Sequence, residues 1–157
     1  MSAVLHLIYG DEAETPCGQP RRALVADLPA NGRLLLWAMR LLAENRGNWA
    51  TVQQELWLCC GLASVENVLQ ALEEMLTLLA RESRRPLLLK PSDAKRMSAG
   101  EEAVMAMIEA ARGGKSARLA AHARWLVRPI AQSDLISQTL CLGLGVLDGA
   151  PRREAGA

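Results

Sequence analysis

The Gly114-Lys115-Ser116 tripeptide is the part of this sequence that most resembles a nucleotide-binding motif. A phosphate-binding loop has the pattern G-x-x-x-x-G-K-[ST], in which backbone N–H groups wrap closely around the phosphates. The first glycine of that pattern falls on Glu109, whose carboxylate would repel phosphate. The preceding residues have a helical pattern, whereas a phosphate-binding loop follows a strand. We therefore interpret Gly113-Gly114 as a joint between two helices, with one glycine in the left-handed conformation.

The cysteines and histidines are the other residues that could bind a metal or carry out redox chemistry; they are Cys17, Cys59, Cys60, Cys141, His6 and His122. Their spacing matches no zinc motif and no disulfide framework. Cys59 and Cys60 are adjacent, so their side chains would point about 100° apart on a helix. Packing in the core is their predicted role. A cysteine-dependent metal or redox protein is kept as the second alternative function.

No catalytic residue is predicted from the remaining polar groups. His122 lies at the border of an apolar helical face, and the sequence pattern gives it no Ser or Cys nucleophile as a partner. Ser98 and Glu101 have the spacing of a helix capping box, which accounts for the acidic residues there. We predict a protein without enzymatic activity and without a cofactor or metal.

The composition of the 157-residue chain predicts an all-α fold. Half of the residues are hydrophobic, but Phe is absent, Tyr occurs once, and Leu and Ala, which favour helices, dominate. The length suits one domain with a substantial core. No signal peptide is evident and no apolar stretch approaches the roughly 20 residues that span a membrane. The sequence predicts a reduced, cytoplasmic protein that does not interact with membranes.

Apolar periodicity predicts a single domain of five to six helices. Its proposed range is 31–148, preceded by an extended or partly disordered arm at 1–30 and followed by a disordered tail at 149–157. Residues 3–9 and the segment RRPLLLKP are candidates for a minor two-stranded element. Ser64 and Ser133 are predicted N-caps, and Ile136, Leu140 and Leu144 are predicted to face inward. The predicted helices are approximately 32–46, 49–60, 65–82, 99–112, 116–128 and 134–146.

Charge is distributed unevenly, although the net charge is only +1. Residues 1–80 carry five basic and nine acidic side chains, whereas residues 81–128 carry eleven basic and five acidic ones. Trp125 falls on the polar flank of its helix, and an exposed Trp among arginines is typical of a protein interface. We predict a helical interaction or regulatory module that binds another, acidic protein. The predicted contact residues are Arg84, Arg85, Arg118, Trp125 and Arg128.

A DNA-binding regulator is the first alternative. The text CCGLASVENVLQAL resembles the turn and recognition helix of bacterial regulators, which would place a helix-turn-helix at about 49–80. The register is imperfect, because Asn67 occupies the offset that usually holds an apolar residue. Glu66, Glu73 and Glu74 would also face the DNA phosphates. Nucleic acid is therefore a disfavoured partner, and the sequence does not define the oligomeric state.

Overall fold

The computed structural model describes residues 22–60 and 62–147. These residues form helices and connecting segments, with no strand or sheet among them, so the predicted all-α single domain is confirmed. Short 3₁₀ turns at Val25–Asp27 and Arg46–Asn48 precede α1 and α2 respectively. The helices are α1 (Ala30–Glu44), α2 (Trp49–Cys60), α3 (Leu62–Glu82), α4 (Ala99–Arg112), α5 (Ser116–Leu126) and α6 (Pro129–Leu147).

The bundle is organised around α6, which contacts α2, α3, α4 and α5. It runs antiparallel to α3, because Gln138 donates to the carboxylate of Glu74 while Gly145 lies against Val68. A Cβ on Gly145 would lie 2.5 Å from a methyl carbon of Val68, so this glycine permits the close approach of the two helices. The shared core includes Leu36, Leu56, Leu72, Met107, Leu126 and Leu135.

Several predicted helix boundaries are wrong. The first helix occupies 30–44 and not 32–46, and α3 begins at Leu62, two residues before its predicted cap Ser64. The fifth helix ends at Leu126, and α6 begins at Pro129 and not after Ser133. Pro129 begins α6 because the fixed φ and missing N–H of proline suit the first helical position.

The buried face of α6 also differs from the predicted one. Leu135, Thr139 and Leu142 are fully buried, whereas Leu140 and Leu144 are exposed and Ile136 is half-buried. The threonine hydroxyl donates to the Leu135 carbonyl, so its polar group is paired within the helix. A helix as apolar as α6 offers several candidate faces, and only its neighbours decide which one is buried.

Within the described residues, the segment RRPLLLKP, which is one half of the predicted two-stranded element, forms no strand. The segment that follows α3 is extended, but its ladder contacts there are limited to isolated bridges between Ser83 and Val127 and between Leu24 and Arg96. Leu87 and Leu89 are buried, because alternate residues of this extended segment pack against the bundle. Residues 3–9 lie outside the described residues, as do most of the predicted arm and all of the predicted tail.

Helix α4 has both of the predicted ends. The capping box is present, since Ser98 Oγ accepts from the N–H of Glu101 and the Glu101 carboxylate accepts from the N–H of Ser98. At the other end Gly114 has a φ of 66°, in the left-handed region. The N–H of Lys115 donates to Ala110 O, and the N–H of Gly114 donates to Ala111 O, which is the Schellman pattern. The GKS sequence is thus a helix terminus followed by a new helix.

Replacing Gly114 with alanine should destabilise the protein by about 1 kcal/mol, since an L-residue pays that penalty in the left-handed region. Gly113 is a matched control, because it has a right-handed helical conformation and a Cβ there makes only ordinary contacts. Gly113→Ala should leave stability unchanged or raise it by about 0.5 kcal/mol. Urea unfolding measures the stability of both variants. Equal losses of stability would show that the left-handed conformation at position 114 does not require glycine.

Candidate functional site

Four of the five predicted contact residues gather where the ends of α3 and α5 meet, and Arg118 lies farther along α5. The bridge between Ser83 and Val127 fixes this junction. The N–H of Arg84 donates to Leu126 O at 3.0 Å, and the N–H of Arg128 donates to Glu82 O at 3.0 Å. These backbone bonds hold residues that are more than 40 positions apart in the sequence side by side.

Arg85 and Trp125 form a cation–π pair at this junction. The guanidinium carbon of Arg85 lies 5.2 Å from the centroid of the indole, and 43% of Trp125 is exposed. Such a pair contributes about 0.5–1 kcal/mol at an exposed site. The contact orients the indole while leaving part of it accessible to a partner.

Arg84, Arg118 and Arg128 are exposed around this pair. The Nε of Arg84 donates to Val127 O at 2.9 Å, which fixes its side chain across the junction. Arg118 precedes Trp125 by seven residues on α5, so it lies on the same face about 10 Å away along the axis. We call Arg84, Arg85, Arg118, Trp125 and Arg128 the Trp125 surface; four of its members meet at the junction, and Arg118 extends it along α5.

A shallow groove of about 180 Å³ adjoins Trp125. It is lined by Arg85, Pro86 and Leu87 on one side and by the first turn of α4 on the other. None of the described residues that line it is acidic. A Cβ on Gly100 would overlap Cδ1 of Leu87, so this glycine allows the extended segment to lie directly on α4. The groove therefore combines an apolar lining with one arginine and a helix N-terminus.

A buried ion pair holds this segment in place, and the sequence did not predict it. Arg40 and Glu101 are 1% and 0% exposed, and their side chains pair through two bonds, Nε to Oε1 at 3.0 Å and Nη2 to Oε2 at 2.7 Å. The same carboxylate accepts from the backbone N–H of Lys90 and Ser98. Arg40 also donates to the carbonyls of Ala94 and Arg96.

This ion pair has a structural role. Each oxygen of Glu101 accepts two hydrogen bonds, so the carboxylate has little capacity left to act as a base. Helical periodicity predicts Arg40 on the narrow polar edge of its helix beside Arg33, but in the structure Arg40 is buried. Both arginines belong to the same strongly apolar helix, and periodicity alone does not show that Arg40 is buried while Arg33 is exposed.

Two other basic residues of the second half, Arg96 and Arg112, lie away from the Trp125 surface. Arg96 Nη1 donates to Arg22 O at 2.8 Å, near the segment that leads into α1, and its backbone carbonyl accepts from Arg40. Arg112 lies at the end of α4 and is largely buried. The charge excess of residues 81–128 is therefore divided among several parts of the molecule.

The described cysteines and acidic residues form no cluster suited to a metal ion. No group of three or more His, Cys, Asp and Glu side chains with that arrangement occurs in residues 22–60 and 62–147. Cys59 is buried in the core and Cys141 is exposed, and both are free thiols. Cysteine-dependent metal or redox chemistry stays an untested prediction.

The helix-turn-helix interpretation also stays a prediction. Helices α2 and α3 exist, but Glu66, Glu73 and Glu74 are exposed on α3. Carboxylates on the outer face of a recognition helix oppose approach to DNA phosphates. This geometry gives no electrostatic support to the DNA-binding alternative.

Comparisons of the chain with protein-family models, curated proteins and solved structures find no match. None of the helices in the described ranges has the length and apolar character needed to cross a bilayer. The fold defines an all-α single domain.

Proposed function

We propose that this chain is a non-enzymatic, cytoplasmic interaction or regulatory module that binds an acidic segment of another protein through the Trp125 surface. The observation that carries the proposal is the half-exposed Trp125 stacked against Arg85 at the edge of an apolar groove. Trp and Arg are the residues most enriched among those that dominate binding energy at protein interfaces. An arginine also supplies planar, bidentate recognition of a carboxylate.

The lining of the groove supports a partner segment that combines apolar and acidic side chains. Its volume of about 180 Å³ suits one or two apolar side chains, which would pack against Trp125 and Leu87. An Asp or Glu next to that apolar residue would pair with Arg85 and face the N-terminus of α4, where negative charge is favoured. Arg84 and Arg128 would attract further acidic residues at the rim, which mainly raises the association rate.

A peptide selection tests this function without assuming a partner. The immobilised full chain is presented with a random peptide library, and recovered peptides are tested on wild type, Trp125→Ala and Trp57→Ala. Trp57 is a matched control because it is 48% exposed and lies on α2, outside the Trp125 surface. We expect recovered peptides with Asp or Glu beside a bulky apolar residue, and binding that weakens as salt screens the charges.

The proposal fails if the recovered peptides are basic or uncharged. It also fails if Trp125→Ala and Trp57→Ala bind the acidic peptides equally well. The DNA-binding alternative is tested by measuring binding of the chain to random duplex DNA at low salt, where phosphate contacts are strongest.

A further inference from the structure

A second groove lies between α4 and the segment that leads into α1. Its volume is about 370 Å³, and the surface that it exposes is mainly apolar, although Glu102, Glu109 and Arg112 are among its lining residues. Leu28 and Pro29 form one wall, and Met97, Met105 and Ala106 lie along the opposite side. The groove is separate from the Trp125 surface, and no residue of that surface lines it.

Arg112 lines this groove at the C-terminal end of α4. Its side chain is only 8% exposed, and its Nε and Nη2 atoms are buried without a hydrogen-bond partner. The third nitrogen, Nη1, lies 3.4 Å from Oε2 of Glu109, a residue whose side chain is 65% exposed. A buried guanidinium with two unpaired donors is unfavourable, because desolvation is not offset by a bond.

The unpaired atoms form the edge of a guanidinium that binds a carboxylate through two parallel bonds. Arg40 uses the same edge in this protein, since its Nε and Nη2 bind the two oxygens of Glu101. The other carboxylate that lines the groove, Glu102, is already occupied by Arg22 and by the N–H of Ala23. The Nε and Nη2 edge of Arg112 therefore has the geometry to bind a carboxylate and is not paired with any described residue.

We infer that this groove binds a small aliphatic monocarboxylate, with the carboxylate on Nε and Nη2 of Arg112 and the hydrocarbon chain along Met105 and Met97. The single cation fixes one end of the ligand, and the apolar lining selects an unbranched chain without further polar groups. Glu109, being exposed, turns toward solvent as the ligand carboxylate arrives. This site is independent of the proposed protein-binding function and involves different residues.

Calorimetric titration of the full chain with octanoate and with its neutral analogue octanol tests the inference. We expect one site that prefers octanoate over octanol by about tenfold, since a charge-assisted bond replaces an unpaired donor. In the series from butanoate to octanoate, affinity should rise about fourfold for each added methylene that enters the groove. No saturable binding of octanoate, or equal affinity for octanol, would overturn the inference.

Variants separate the charge from the groove. Arg112→Met should abolish the preference for octanoate, whereas Lys115→Met, which removes an exposed cation three residues later, should retain it. Ala106→Phe should prevent binding of both octanoate and octanol, because the larger side chain fills the groove. This variant tests the site even if Arg112→Met does not fold. A preference that survives Arg112→Met, or binding unaffected by Ala106→Phe, would place the ligand elsewhere.

Discussion

Replacing Arg40 with methionine is expected to lower the free energy of unfolding by about 3–5 kcal/mol, the usual cost of removing one partner of a buried ion pair. The substitution leaves the Glu101 carboxylate buried without its counter-ion. It also removes the donor to the carbonyls of Ala94 and Arg96. The extended segment that lines the groove next to Trp125 should therefore become less ordered as the bundle is destabilised.

Two further variants show whether the ion pair is the cause. Arg33 lies on the same helix but is exposed, so Arg33→Met should change stability by no more than about 0.5 kcal/mol. In the Arg40→Met background, Glu101→Gln should raise stability, because it removes the unpaired charge, whereas in wild type it should lower stability. Chemical denaturation of the four proteins gives this cycle. Additive effects, or an Arg40→Met protein within about 1 kcal/mol of wild type, would contradict the assigned role.

Replacing Trp125 with alanine should weaken binding of a selected acidic peptide by about thirtyfold, equivalent to about 2 kcal/mol. The variant removes the apolar contact for the partner and also the stacking that orients Arg85. Fluorescence anisotropy of a labelled peptide measures the affinity, and circular dichroism checks that the helices persist. Trp57→Ala should change the affinity by less than about twofold, and a similar loss in both variants would argue against a localised site.

The parts of this fold that were predictable from the sequence depend on local interactions. Ser98 and Glu101 are three residues apart, so their reciprocal capping follows from chemistry within one helical turn. The left-handed Gly114 follows in the same way from the end of an amphipathic segment. Helical periodicity also predicts inward faces for α4 and α5 that include Val104, Met107 and Leu119, and these residues are buried. Their apolar residues form one stripe each, so the face was unambiguous.

The unpredicted features depend on contacts between distant segments. Arg40 and Glu101 are 61 residues apart, and periodicity cannot show that a charge on one helix meets a charge on another. The inward face of α6 was wrong because that helix is apolar on several sides. Arg85 and Trp125 come into contact because Ser83 and Val127 form a bridge between the two segments. The sequence pattern around Ser83 and the pattern around Val127 do not predict that bridge. The charge excess and the exposed Trp were visible in the sequence, but their common surface was not.

Exchanging the charges of Arg85 and of the peptide is the most direct test of whether Arg85 recognises an acidic partner. The affinity of wild type and of Arg85→Glu is measured for a selected acidic peptide and for the same peptide with its key acidic residue replaced by lysine. We expect the affinity of Arg85→Glu for the acidic peptide to be at least about tenfold lower than that of wild type. Its affinity for the lysine peptide should be higher than that of wild type. Unchanged affinity of Arg85→Glu for the acidic peptide, with no gain for the lysine peptide, would contradict it.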